Sequence, residues 1–396
     1  MTEAARPRPA RFPIGAGAGL EELERDPHPL LARLREHEPV SWLPALGGWL
    51  VTRRDLALRV MRDAATFTVD DPRFSTGRVV GPSMLTLDGA EHRRHRDPFA
   101  PPFRRDAVRE RFGALVEAET DRLIDAVEPD GAAELRRSLA GPLAAAVVAH
   151  ALGLEGTDTA AMLGWYDAIV DSVTGVAGGR PVTVAGKEAF AALRSSVEAE
   201  LGRDARSSLV AAAASRAGGL TRAEVVSNVA VLMFGGIETT EGMISTAILH
   251  LLGDPKQRVL VDDDRGLLPN AVEESLRLEP AAAVIDRYAS RDVRLGGAFI
   301  GRRELVIVSI AGANRDPRVF PDPDRFDLRR ENAGLQIAFA AGPHVCIGMH
   351  LARLEAHAAI GRLFDRLPRL RLDPARPSAP RGLVFRKPPT LHVVWG

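Results

Sequence analysis

From Leu220 to about Leu252 the chain carries a helical pattern that is apolar on nearly every face, and this segment sets the terms for the rest of the fold. A helix without a polar face has to be buried along its length. Thr221 and Glu224 mark its start with capping-box spacing, and Gly253-Asp254-Pro255 marks its end. The 396 residues exceed the roughly 250 to 300 of a usual single core. One large irregular domain or two lobes can surround such a helix.

Apolar residues three to four apart predict further helices over Glu21 to Glu38, Arg105 to Val127, Ala133 to Leu152 and Ala185 to Leu201. A last helix is predicted over Ile347 to Leu367, stopped by Pro368. Strand-like runs are short: Trp49 to Thr52, Val293 to Leu295, Glu304 to Ile310 and Leu391 to Trp395. No internal repeat interrupts this order. The expected class is mainly α with small β-sheets.

Hydrophobic residues at 45% and charged residues at 26% exclude a disordered or fibrous chain. Equal numbers of basic and acidic residues, 52 each, give no global field for nucleic acid or an anionic membrane. Residues 1–20 are rich in Pro, Arg, Gly and Ala and are expected to be a flexible start, without the apolar core of a signal peptide. No run reaches the ~18 apolar residues of a membrane span, so cytoplasmic residence is expected. A solitary cysteine, Cys346, excludes an internal disulfide framework and any multi-cysteine cluster.

Cys346 stands where a Gly/Pro-containing loop enters the last helix, a setting that favours a thiolate. Such a thiolate can be a nucleophile or a metal ligand; a lone cysteine can also be an inert core residue. Its neighbours decide. Phe339-Ala340-Ala341-Gly342-Pro343-His344-Val345-Cys346-Ile347-Gly348 resembles the haem-ligand loop of the cytochrome P450 family, F-x-x-G-x-H-x-C-x-G. The resemblance makes Cys346 the axial ligand of haem iron, with Phe339, Gly342 and Gly348 shaping its surroundings. Ala340 departs from the glycine common at that position.

Other motifs follow in the family's order. Glu274-Ser275-Leu276-Arg277 resembles the E-x-x-R helix and Pro323-Asp324-Arg325-Phe326 the P-x-R-F segment, implying a buried structural network of Glu274, Arg277 and Arg325. His92, Arg96, Arg287 and His344 match positions that hold the haem propionates, a task suited to cationic groups. Gly235-Gly236-Ile237-Glu238-Thr239-Thr240 resembles the oxygen-activation motif, which gives Glu238 and Thr239 a proton-delivering role. Two adjacent glycines in a helix cost roughly 1 kcal/mol each, so a close approach is expected there.

The resemblance implies one P450 domain over residues 1–396, with haem b between the long buried helix and the cysteine loop. It implies a monooxygenase that uses O2 and two electrons from NAD(P)H to hydroxylate or epoxidise a small apolar substrate, by family habit in secondary metabolism. Electrons are expected from a ferredoxin and its reductase, since no flavin or cluster module follows in the ~50 residues beyond Cys346. Seven arginines between Arg93 and Arg111 suggest a basic docking patch. A non-catalytic P450-like scaffold, a peroxide-driven P450 and a thiol hydrolase using Cys346 and His344 are the rival readings. The Glu238-Thr239 pair speaks against the first two, and the Glu274 network against the third.

Overall fold

A computed structural model describes residues 11–154, 156–177, 179–202, 209–215 and 219–396. The helices that position the site are α1 (His28–His37), α2 (Arg54–Arg62), α3 (Gly89–Arg96), α4 (Arg105–Val127), α5 (Gly141–Leu152), α6 (Thr159–Ala177), α7 (Val184–Leu201), α8 (Arg222–Gly253), α9 (Leu268–Leu278) and α10 (Met349–Arg366). The strands are β1 (Val40–Leu43), β2 (Gly48–Val51), β3 (Phe67–Thr68), β4 (Ala132–Glu134), β5 (Val284–Ala289), β6 (Val293–Leu295), β7 (Ala298–Ile300), β8 (Leu305–Ser309), β9 (Arg371–Leu372) and β10 (His392–Val394). The chain divides into two compact units. No helix among the described residues is long and apolar enough to cross a membrane.

The first unit comprises Met1–Val69, Asp254–Cys346 and Ser378–Pro389. Its sheet has the order β1-β2-β8-β5-β3, with β2 and β8 parallel and the other neighbours antiparallel. Val40, Trp49, Val51, Val306 and Val308 line one core with Val60 and Met61 of α2. The opposite sheet face, through Leu43, Leu50 and Ile307, buries Leu30, Leu31 and Leu34 of α1. Alternation along the strands therefore fills both faces, which is why β2 and β8 read as continuous apolar runs.

The second unit comprises Asp70–Gly253, Ile347–Pro377 and Thr390–Gly396. Here α8 spans 32 residues, about 48 Å at 1.5 Å per residue. The capping box closes in both directions: the Glu224 amide donates to Thr221 Oγ1 at 3.3 Å and the Thr221 amide to Glu224 Oε2 at 2.8 Å. Buried polar groups on α8 find partners on its neighbours. Asn228 accepts the Met84 amide at 2.8 Å, and Glu241 faces Arg136 at 3.1 Å. Arginines of α10 reach carboxylates of α4, Arg362 to Asp121 at 2.8 Å and Arg366 to Asp125 at 2.7 Å.

Three expectations change in the structure. The helix over Glu21 to Glu38 is two helices, Leu20–Arg25 and His28–His37, because Pro27 has no amide hydrogen to continue the first. The helix over Ala133 to Leu152 loses its first residues, since Ala132–Glu134 pairs with His392–Val394 as a strand, and a π-helical stretch Arg136–Ala140 leads into Gly141–Leu152. Tertiary pairing overrides alanine's helical preference there. Of the start expected to be flexible, residues 1–10 lie outside the described residues. From Phe12 the chain is packed, with Phe12 edge-on to Trp49 at 5.2 Å.

Candidate active site

In the first unit the cysteine loop is held by its own backbone. The Cys346 amide donates to the Phe339 carbonyl at 2.8 Å and the Val345 amide to that of Gly342 at 3.1 Å, while the Cys346 side chain is exposed. Gly342 has φ +75°, and a Cβ there would come within 2.5 Å of the Met61 carbonyl oxygen. The loop thus lies against the end of α2 at a distance only glycine allows. Phe339 and His344 are half-buried beside the cysteine in sequence, and Arg287 is buried on β5, its Nη1 donating to the Asp286 carbonyl at 2.7 Å. Burial pushes the Asp286 carboxyl up to about 6, against the opposing pull of Arg287.

Ala340 is in the left-handed region at φ +61°, which costs a residue with a Cβ roughly 1–2 kcal/mol. This is the position where glycine was expected. Glycine would remove the strain but lose roughly 0.5–1 kcal/mol more chain entropy on folding. Ala340→Gly should therefore stabilise the loop by up to about 1 kcal/mol, measured as a higher temperature of haem loss. A lower temperature would mean that the Ala340 methyl makes contacts worth more than the strain.

The structural network differs from expectation in one member. Arg277 clasps Glu274 with Nε to Oε2 at 2.7 Å and Nη2 to Oε1 at 2.8 Å, both side chains fully buried. The second arginine on Glu274 is Arg330, with Nε to Oε1 at 2.9 Å. Arg325 contributes its carbonyl to Arg277 Nη2 at 3.1 Å, while its own guanidinium turns outward to Asp327 and is 65% exposed. Arg277 Nη1 also donates to the carbonyls of Asn314 and Pro323. The helix α9 thereby pins the irregular Pro- and Asp-rich stretch that leads to the cysteine loop.

In the second unit α8 runs unbroken through the Gly235-Gly236 motif. A Cβ on Gly236 would lie 2.6 Å from Val148 Cγ2 of α5, so helix packing accounts for that glycine. Gly235 is different: a Cβ there meets no atom of the described residues within 4 Å. Thr239 Oγ1 donates to the Gly235 carbonyl at 2.6 Å. Glu238 is buried and accepts a hydrogen bond from Tyr166 of α6, a partner that sequence spacing did not point to. His92 is buried and Arg96 half-buried on one face of α3. Arg94 and His95 turn to α8, where Arg94 meets Glu224 at 2.5 Å and Asn228 Nδ2 lies 2.9 Å from His95 Nδ1. Burial lowers the His95 pKa below its usual range.

By residue type each unit holds groups that suit a haem: in the first, the exposed Cys346 sulfur is a single soft donor and Arg287 and His344 are residues that can bind a carboxylate, and in the second, His92 and Arg96 are residues of the same kind. Gly348, like Gly235, has room for a Cβ and ordinary φ, so contacts among the described residues demand glycine at neither place. A flat ring against the backbone would.

Comparison with known proteins agrees. Residues 263–393 match the model of the family described as Cytochrome P450. Cytochrome P450 107B1 of Saccharopolyspora erythraea is 34% identical over 366 residues, covering 88% of this chain and 89% of that protein. Nocardicin C N-oxygenase of Nocardia uniformis subsp. tsuyamanensis is 35% identical over 402 residues, covering 97% and 98%. The crystal structure of CalO2 superposes with a TM-score of 0.85 at 31% identity, covering 95% of this chain and 97% of that one. The chain belongs to the cytochrome P450 family. It has the P450 fold and is a haem b monooxygenase, an oxidoreductase that uses O2 and electrons drawn from NAD(P)H through redox partners.

Proposed function

We propose that Cys346 is the axial thiolate of the haem, that His92, Arg96, Arg287 and His344 hold its propionates, and that Phe339, Gly342 and Gly348 shape its seat. Glu238 and Thr239 deliver protons, and Glu274, Arg277 and Arg330 form the structural network, to which Arg325 adds only its carbonyl. Residues 1–396 act as one cytoplasmic domain. The observation that carries the reading is the cysteine loop, in which the Cys346 amide is tied to Phe339 while the sulfur is exposed. The substrate is a small apolar organic molecule of secondary metabolism, and relatives such as the nocardicin C N-oxygenase support the secondary-metabolism part of that reading.

When bound, the haem supplies the activation of O2 and the transfer of one oxygen atom to substrate. Cys346 contributes negative charge as a thiolate and remains deprotonated. Thr239 Oγ has its proton committed to the Gly235 carbonyl, which leaves its lone pairs free to accept. Glu238, buried one residue away on the same helix, is the carboxyl that exchanges protons in this reading. Thr239→Ala should leave reduction and substrate affinity intact while product per NAD(P)H falls and hydrogen peroxide rises. Glu238→Gln keeps the shape, loses the acid and should slow turnover by roughly 10²-fold or more. Unchanged coupling in Thr239→Ala, assayed with a substrate lacking its own hydroxyl near the reacting carbon, would reject the role of Thr239.

The electron donors are a ferredoxin and its reductase, docking on the start of α4. Arg104, Arg105 and Arg109 are exposed there. Burial first, then the charges of Arg353 and Arg105, lower the His350 pKa, so His350 adds no charge of its own to this field. Reversing Arg105 and Arg109 to glutamate should cut the reduction rate at low salt roughly tenfold or more and flatten its salt dependence. Unchanged rates would remove the patch from the reading.

A further inference from the structure

The helix α6 turns Met162, Tyr166, Ile169 and Val173 inward, all buried, at the four-three-four spacing of one helical face. Phenylalanine or leucine would serve the packing of that face. Tyrosine instead carries a hydroxyl into it, and a buried hydroxyl needs a partner. The partner is Glu238 Oε2 of α8, which accepts the hydrogen bond from Tyr166. Exposure is 1% for Tyr166 and 4% for Glu238, so the pair is shielded from bulk water. Thr239 is anchored differently, to the carbonyl of Gly235 in its own helix. The two side chains of the acid–alcohol pair therefore have independent anchors, and that of Glu238 comes from α6.

We propose that Tyr166 is the positioning residue for Glu238, fixing the carboxyl in place through both of its protonation states. A phenol can donate to the ionised carboxylate and accept from the protonated acid. It can thus keep one geometry while the proton comes and goes. Lysine or arginine could hold only the ionised form, and phenylalanine neither. The inference rests on the reading of Glu238 as a proton carrier and adds the residue that keeps the carrier in register.

Tyr166→Phe in the haem-loaded protein tests it. The chain has two tyrosines, so the ultraviolet resonance Raman difference between wild type and Tyr166→Phe isolates Tyr166 in the resting protein. The expected signature is a phenol donating a strong hydrogen bond, weakened in Glu238→Gln because an amide oxygen is a poorer acceptor. In turnover, Tyr166→Phe should lower product per NAD(P)H several-fold and enlarge the solvent deuterium isotope effect, with haem content, melting temperature and substrate Kd at wild-type values. Added to Glu238→Gln, it should change nothing further. Wild-type coupling and isotope effect in Tyr166→Phe, while Glu238→Gln is slow, would overturn the role of Tyr166 alone. Loss of haem or of melting temperature in step with coupling would overturn it in favour of packing. If Glu238→Gln itself turned over like wild type, the proton-carrier reading would fall and this inference with it.

Discussion

Glu274→Ala should yield protein that loads little haem and unfolds at a much lower denaturant midpoint. The carboxylate accepts from Arg277 Nε and Nη2, from Arg330 Nε and from the Asp327 amide at 3.1 Å, all within a buried site. Removing it leaves two guanidinium groups without their counter-ion, a loss of roughly 3–5 kcal/mol against a typical total stability of about 5–15 kcal/mol. Arg277 would still be held by the carbonyls of Asn314, Pro323 and Arg325 and by the ring of Phe320 at 5.3 Å, so its charge stays trapped instead of escaping to water. Arg330→Ala should behave alike, since that side chain also binds the carbonyls of Pro321 and Asp322. Arg325→Ala removes only an exposed pair, worth at most about 1 kcal/mol. Haem-to-protein ratio and urea midpoint across the three variants check the ranking; an Arg325 effect as large as that of Arg330 would contradict it.

Cys346→Ser should abolish O2-dependent product formation and leave the polypeptide folded. The side chain is exposed, and the bond that shapes the loop runs from the Cys346 amide to the Phe339 carbonyl, which serine preserves. Stability of the haem-free protein should therefore match wild type within about 0.5 kcal/mol. What disappears is the thiolate, because an alcohol does not ionise near neutral pH or donate comparable electron density to iron. The two variants fail for opposite reasons. Product formation by Cys346→Ser with O2 and NAD(P)H at a wild-type rate would contradict the assignment.

The local signals in the sequence carried far. The long apolar helix, the cysteine loop and the Glu274–Arg277 spacing each lie within one short segment, and each has the expected local form. What stayed hidden depends on partners distant in sequence. Arg330 and Arg325 lie five residues apart in one irregular stretch, and no periodicity says which guanidinium turns inward; Glu274, 56 residues upstream of Arg330, decides it. Ala133 and Glu134 read as helix until His392–Val394 offers them and Ala132 a sheet edge. Tyr166 looks like one more apolar residue on α6, because the carboxylate that gives its hydroxyl a purpose lies 72 residues away.

Ligation of haem iron by the Cys346 thiolate is tested most directly by the reduced carbon-monoxide difference spectrum of the purified wild-type protein. A Soret band at about 450 nm, absent in Cys346→Ser, is the predicted result, because ligation by a thiolate would move the band that far. A wild-type band well short of that wavelength in folded, catalytically active protein, or one at about 450 nm that persists in Cys346→Ser, would contradict it.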